Sequence, residues 1–170
     1  VIGNQQSIVF IGFMGAGKTT IGKLVAEKLR REFIDIDEAI EKEYGIPTSE
    51  IFKKIGEKAF RAKEKEIIIE LSKRQGYILS LGGGAFLQEE TREACLQNCT
   101  VIFLDISWEY WKERIGLIID SRPVLQGRNQ EEIRELFNSR QAIYQHHHIK
   151  IGTDDQQPEQ IAEYIVSKLG

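Results

Sequence analysis

The sequence predicts an α/β fold, a parallel sheet with helices on both faces, and three observations carry that expectation. Short apolar runs alternate with amphipathic helical stripes from end to end, the pattern of a chain of βαβ units. The loop Gly12-Phe13-Met14-Gly15-Ala16-Gly17-Lys18-Thr19 stands between the first run and the first stripe, in the order strand, phosphate loop, helix. With 170 residues, 41% of them hydrophobic, the chain can bury one sizeable core, so one domain spanning 1–170 is expected.

Each element follows from local pattern. Ser7 to Ile11 reads as the first strand, and Ile21, Leu24, Val25 and Leu29 recur at helical spacing behind the glycine loop. Phe33 to Asp35 reads as a second, short strand, Tyr77 to Leu81 as a third, Thr100 to Leu104 as a fourth and His148 to Ile151 as a fifth. Helices are expected over 37–45, 56–74, 89–97, 107–115 and 130–145. A further helix begins at Pro158, where a helix's first turn tolerates proline, and carries Ile161, Ala162, Ile165, Val166 and Leu169 on one stripe. The stretch 116–128 sets Gly116, Pro123 and Gly127 among Asp120, Ser121 and Arg122, and is long for a connection in a compact domain. A mobile lid is the expectation, since phosphoryl chemistry needs water kept out.

Composition narrows the function. Lys plus Arg (23) nearly balance Asp plus Glu (26), and no long single-sign block occurs, so neither nucleic acid nor a membrane surface is an expected partner. Small molecules are. The longest apolar runs fall far short of the ~20 residues that span a bilayer, and the N-terminus lacks a basic stretch followed by an apolar one. A soluble, cytoplasmic, monomeric protein is expected. Cys95 and Cys99, the only cysteines, have no second Cys or His pair to complete a zinc site and read as small, half-buried thiols. His146-His147-His148 would point to alternate faces of an extended segment, which suits entry to a strand better than metal ligation.

The phosphate loop states its own mechanics. Glycines let successive backbone N–H groups turn around phosphate oxygens, and the following helix N-terminus adds its dipole. Lys18 then reaches the β- and γ-phosphates, and the Thr19 hydroxyl ligates Mg²⁺. No Asn-Lys-x-Asp guanine-reading motif occurs, which favours ATP. Asp35 and Asp37 follow the second strand with one residue between; period-two geometry puts both carboxylates on one side, ~6.6 Å apart along the chain. One could hold the magnesium shell and the other accept a proton from an attacking hydroxyl; Asp37 would also suit a helix N-cap. Asp105, closing the apolar run Val101-Ile102-Phe103-Leu104, competes for the magnesium role, and which strand lies beside the first would decide between them.

Three further features point to an acceptor site. Gly82-Gly83-Gly84 directly after the third strand costs backbone entropy, and at the carboxyl end of a parallel strand it would let a ligand approach the main chain. Arg140 shares a helical stripe with Ile133, Leu136, Phe137 and Tyr144, so its guanidinium should face protein or a cleft. Arg61 stands three residues before Glu64, within pairing distance on one helix. Two arginines converging on one pocket would clamp a carboxylate bidentately.

Taken together, these residues resemble the shikimate kinase family over nearly the whole chain, from Ile8 to Leu169. The family's Phe-x-Asp-x-Asp stands as Phe33-Ile34-Asp35-Ile36-Asp37. Its Gly-Glu-x-x-Phe-Arg segment is Gly56-Glu57-Lys58-Ala59-Phe60-Arg61, its triple glycine is Gly82 to Gly84, its lid sequence is Arg122-Pro123-Val124-Leu125, and its later arginine is Arg140, with Tyr144 after it. The resemblance implies a nucleoside-monophosphate-kinase type of fold with sheet order 2-3-1-4-5, and phosphorylation of the 3-hydroxyl of shikimate by ATP in aromatic amino-acid biosynthesis. It implies that Asp37 binds substrate hydroxyls and serves as base, that Arg61 and Arg140 grip the carboxylate, and that Gly82, Gly83 and Gly84 line the substrate, Gly83 through its N–H. Gly15, Ala16, Gly17, Lys18, Thr19 and Thr20 would hold the nucleotide, Gln156 would line adenine, and Arg122 would swing from the lid onto the phosphates. Asp35 and Ser80 would join Thr19 around Mg²⁺, leaving Asp105 as a strand-end residue. The lid departs from the family: Arg114 stands one residue further from Arg122 than the family spacing, and Leu117-Ile118-Ile119 replaces a polar run. A gluconate-type kinase, or a domain that binds ATP without turnover, are the competing readings.

Overall fold

In a computed structural model of the chain, which describes residues 5–118 and 130–169, five strands form one wholly parallel sheet in the order β2-β3-β1-β4-β5. The strands are β1 (Ile8–Ile11), β2 (Glu32–Asp35), β3 (Tyr77–Ser80), β4 (Thr100–Asp105) and β5 (Ile149–Gly152). The expected sheet order is the observed one. Burial explains why each sequence takes its place. All four residues of β1 are buried, as a central strand covered on both faces requires, whereas β2 and β5 at the edges mix polar with apolar residues. Burying the β1 side chains Ile8, Val9, Phe10 and Ile11 contributes about 1.5–3 kcal/mol each.

The helices are α1 (Lys18–Leu29), α2 (Ile36–Tyr44), α3 (Thr48–Lys54), α4 (Glu57–Ser72), α5 (Glu89–Asn98), α6 (Trp108–Ile118), α7 (Gln130–Ile143) and α8 (Pro158–Leu169), with a 3₁₀ turn at Ala85–Leu87. They flank the sheet; α1 packs on α8, and α4 on α5. Register places Asp35 opposite Ser80 at the carboxyl ends of β2 and β3, and Asp105 opposite Gly152 at those of β4 and β5. All five carboxyl-end loops therefore open on one edge of the sheet, where ligands of parallel sheets bind.

Several expectations are corrected. No element is expected over 46–55 from the sequence, yet Thr48–Lys54 is helical. Its first turn is held from a distance, because the Glu41 carboxylate on α2 accepts from both Thr48 N (2.6 Å) and Thr48 Oγ1 (2.9 Å). The helix expected to end at 115 continues to Ile118, so 116–118 of the expected lid are helical; its remainder lies outside the described residues. The cysteines are buried rather than half-buried, and burial pushes both thiols up, Cys99 to about 11, so they stay protonated wall atoms. His148 enters the sheet as expected: its N–H donates to Val101 O (2.9 Å), and its Nδ1 accepts from Val101 N (2.9 Å).

Candidate active site

The phosphate loop runs from β1 to α1. Gly17 caps α1 in the left-handed region (φ 98°), a conformation strained for any residue with a Cβ. Lys18 is 9% exposed, and its Nζ donates to the carbonyls of Gly12 (2.5 Å) and Phe13 (3.4 Å), which keeps the ammonium folded against its own loop. Beside it Ala16 is buried and Gly15 and Thr19 are half-buried, while Thr20 is exposed on the outer side of α1.

The acidic pair is not the period-two arrangement expected. The chain turns helical at Ile36, so Asp35 ends β2 and Asp37 sits in the first turn of α2. The N-cap is Asp35, not Asp37. Its Oδ1 accepts from Glu38 N (3.2 Å), worth about 1 kcal/mol to the helix, and its Oδ2 accepts from Thr19 Oγ1 (3.2 Å). One carboxylate thus spans a helix start and the phosphate loop. With Ser80 opposite Asp35 in the sheet, the set Thr19, Asp35 and Ser80 offers one carboxylate and two hydroxyls. Hard oxygen donors with a single carboxylate suit Mg²⁺, which completes its shell with phosphate oxygens and water. Asp105 is placed elsewhere. Both β3 and β4 border β1, so adjacency alone does not choose; the Asp105 carboxylate accepts from Gln141 Nε2 on α7 (3.0 Å).

Asp37 faces a cavity of about 400 Å³ shared with Met14, Arg61, Gly82, Gly83, Gly84 and Arg140. The triple glycine earns its place through space rather than backbone freedom, since none of the three has a positive φ. A methyl on Gly82 would stand 2.9 Å from Asp37 Oδ1, and one on Gly84 2.5 Å from Arg61 Nη2. The glycines let the acid and the guanidinium lie flat against the main chain. Arg61 is held by Glu64, its Nη1 donating to both carboxylate oxygens (2.9 and 3.1 Å), and Arg140 is 8% exposed on α7 as its stripe predicts. Tyr144 donates from Oη to Gly83 O (2.6 Å); burial pushes its phenol up, against the pull of nearby Arg140 and Arg61, so it remains a donor. Gln156 follows β5, its Nε2 donating to Gly152 O (2.8 Å). Arg122 and the side chain of Arg114 lie outside the described residues.

Glu64 is the group sequence reasoning undervalued. Read as a helix partner of Arg61, it proves fully buried, and burial pushes its carboxyl up to about 7, with Arg61 pulling down and Asp37 pushing up. A folded value above the ordinary 4.5 means the native state holds the extra proton between those pH values. Stability from Glu64 is therefore full below about 4.5 and lost as pH rises through about 7. Glu64→Gln should flatten that part of the profile, checked by urea unfolding from pH 4.5 to 8. An unchanged slope would place the dependence elsewhere.

The shikimate kinase family model matches residues 14–170, most of the chain and every element of this site from Met14 onward. The chain belongs to the shikimate kinase family. A shikimate kinase of Bacillus subtilis is 54% identical over 166 residues, covering 97% of this chain and 89% of its own. One from Oceanobacillus iheyensis is 53% identical over 165 residues, with 97% and 90% covered. Among solved structures, shikimate kinase from Acinetobacter baumannii in complex with shikimate superposes at TM-score 0.90 with 36% identity, covering 96% of this chain and 92% of that one. The family is a kinase family, so ATP use and a small-molecule acceptor come with membership.

Proposed function

We propose that this shikimate kinase family member transfers the γ-phosphoryl group of ATP to the 3-hydroxyl of shikimate, giving 3-phosphoshikimate and ADP. The observation that carries the reading is one cavity that presents Asp37 on one wall and Arg61 with Arg140 on others, with Met14 of the phosphate loop at its edge. A ring acid held by its carboxylate on the two guanidiniums would turn a hydroxyl toward Asp37. The hydroxyl oxygen attacks the γ-phosphorus, the bond from that phosphorus to the bridging oxygen breaks, and Asp37 takes the hydroxyl proton. Lys18, with the N–H groups of Gly15, Gly17, Thr19 and Thr20 nearby, holds the phosphates, Ala16 shapes the loop between them by closing its turn on Phe13 O, and Gly83 gives an N–H to the acceptor. Arg122 would add charge at the phosphates, and Gln156 would border the adenine.

Thr19, Asp35 and Ser80 would hold Mg²⁺, whose chemistry is to neutralise charge on the phosphate oxygens. The same reading makes 1–170 one domain and the protein a monomer working in the cytoplasm, where ATP is supplied, on small molecules rather than nucleic acid or membrane. ADP release measured with shikimate, gluconate and a nucleoside monophosphate side by side tests it. Shikimate alone should stimulate release, with ³¹P–¹H coupling in the product at carbon 3. No stimulation by shikimate would remove the named acceptor.

A further inference from the structure

The first turn of the phosphate loop has two backbone forms open to it. Phe13, Met14, Gly15 and Ala16 make a β-turn closed by Ala16 N–H on Phe13 O (3.0 Å). Gly15, third in the turn, has φ 86°, while Met14 is not among the residues with positive φ. That combination is type II; in type I the third residue takes φ near −90°. The two forms interconvert by turning over the Met14–Gly15 peptide, and glycine tolerates either. A trans peptide is planar with its C=O and N–H on opposite sides, so the flip reverses the Met14 carbonyl and the Gly15 N–H together.

One side chain holds that plane. The indole Nε1–H of Trp111 donates to Met14 O at 2.6 Å in a buried contact, and indole has no other donor. The ring cannot drift: it is 0% exposed, stacks on Trp108 (centroids 5.4 Å) and meets Phe13 edge-on (5.1 Å), with Phe13 wedged in turn on Phe137 (5.0 Å). Trp111 belongs to α6, remote in sequence from the loop. With the Met14 carbonyl fixed toward α6, the Gly15 N–H faces the opposite way.

We propose that Trp111 is a positioning residue for the nucleotide: its indole N–H locks the Met14–Gly15 peptide in the type II form, which presents the Gly15 N–H to an ATP phosphate. This rests on reading the Gly12–Thr19 loop as the ATP phosphate loop. Trp111→Phe keeps an aromatic ring and removes the donor. Trp108→Phe trims the same aromatic cluster but keeps a ring to stack on Trp111, so the indole donor to Met14 O stays in place.

The expected result is that W111F weakens ATP binding and raises KM for ATP about tenfold, with KM for shikimate within about twofold, while W108F keeps KM for ATP near that of the parent even where its melting temperature falls. ATP affinity unchanged in W111F, or falling equally in both variants, would overturn the lock. Should W111F fail to fold, 3-benzothienylalanine at position 111 in a W108F background replaces only the N–H by sulfur, and retained ATP affinity there overturns the proposal. Lys18→Met separates the two levels. Lost ATP affinity in K18M beside unchanged W111F defeats the lock alone; retained affinity in K18M defeats the reading of the loop and the lock with it.

Discussion

Asp37→Asn should bind ATP with the affinity of the parent and turn over about 10²–10⁴-fold more slowly. The substitution is nearly isosteric, so the side chain still fits the space that Gly82 leaves, where a methyl would approach Asp37 Oδ1 to 2.9 Å. Asparagine can still donate and accept hydrogen bonds to an acceptor's hydroxyls. It cannot take a proton from one. The loss should therefore fall on kcat, measured by coupled ADP release, while calorimetric ATP affinity stays put and KM for shikimate changes less than kcat. The neighbouring carboxylate does not substitute: Asp35 is engaged with Glu38 N and Thr19 Oγ1 on the phosphate-loop side. The variant also removes a negative charge that pushes the Glu64 carboxyl up, so Glu64 should titrate lower in D37N than in the parent. An unaltered turnover would take Asp37 out of the base role.

How much of this was legible in the sequence depends on whether the cause is local. The loop Gly12 to Thr19 and the stripe Ile133, Phe137, Arg140, Tyr144 are local patterns, and both stand in the structure where period and motif put them. Strand order is not local; it came only with family resemblance, although the buried run of β1 against the mixed β2 and β5 is consistent with it. The misreadings have two origins, local signals passed over and contacts made outside the element itself. Asp35 and Asp37 look equivalent until the helix begins between them and Thr19 claims the first. Thr48–Lys54 has its own signal in Pro47 followed by Thr48, Ser49 and Glu50, but its anchoring to Glu41 belongs to another helix. The triple glycine reads as room for a ligand to approach the main chain and does line the cavity, but the part that Asp37 and Arg61 take in filling that room shows only in the structure. Trp111 and Met14 carry no motif at all, and their hydrogen bond spans 97 residues.

Lys18→Met should cost about 10²–10³-fold in kcat/KM for ATP, and here the loss should appear in binding as well as in turnover. Methionine keeps much of the aliphatic stem that is buried in the parent, 9% exposed, and removes the ammonium. In the structure that ammonium donates to the Gly12 and Phe13 carbonyls, so the variant loses those internal bonds too. The two consequences can be told apart. If Lys18 only braced the loop, K18M would lower the melting temperature and leave the ratio of ATP to ADP affinity unchanged. If it carries charge to the terminal phosphates, ATP affinity should fall more than ADP affinity, because the lost attraction grows with the charge on the nucleotide. Shikimate binding, measured by calorimetry without nucleotide, should be unaffected in either case, since Arg61 and Arg140 stand on α4 and α7 rather than on the loop. Equal losses for ATP and ADP would return Lys18 to a bracing role. The D37N and K18M losses should combine to less than their product, because both groups act on one transfer step and a variant missing either has little left for the other to accelerate.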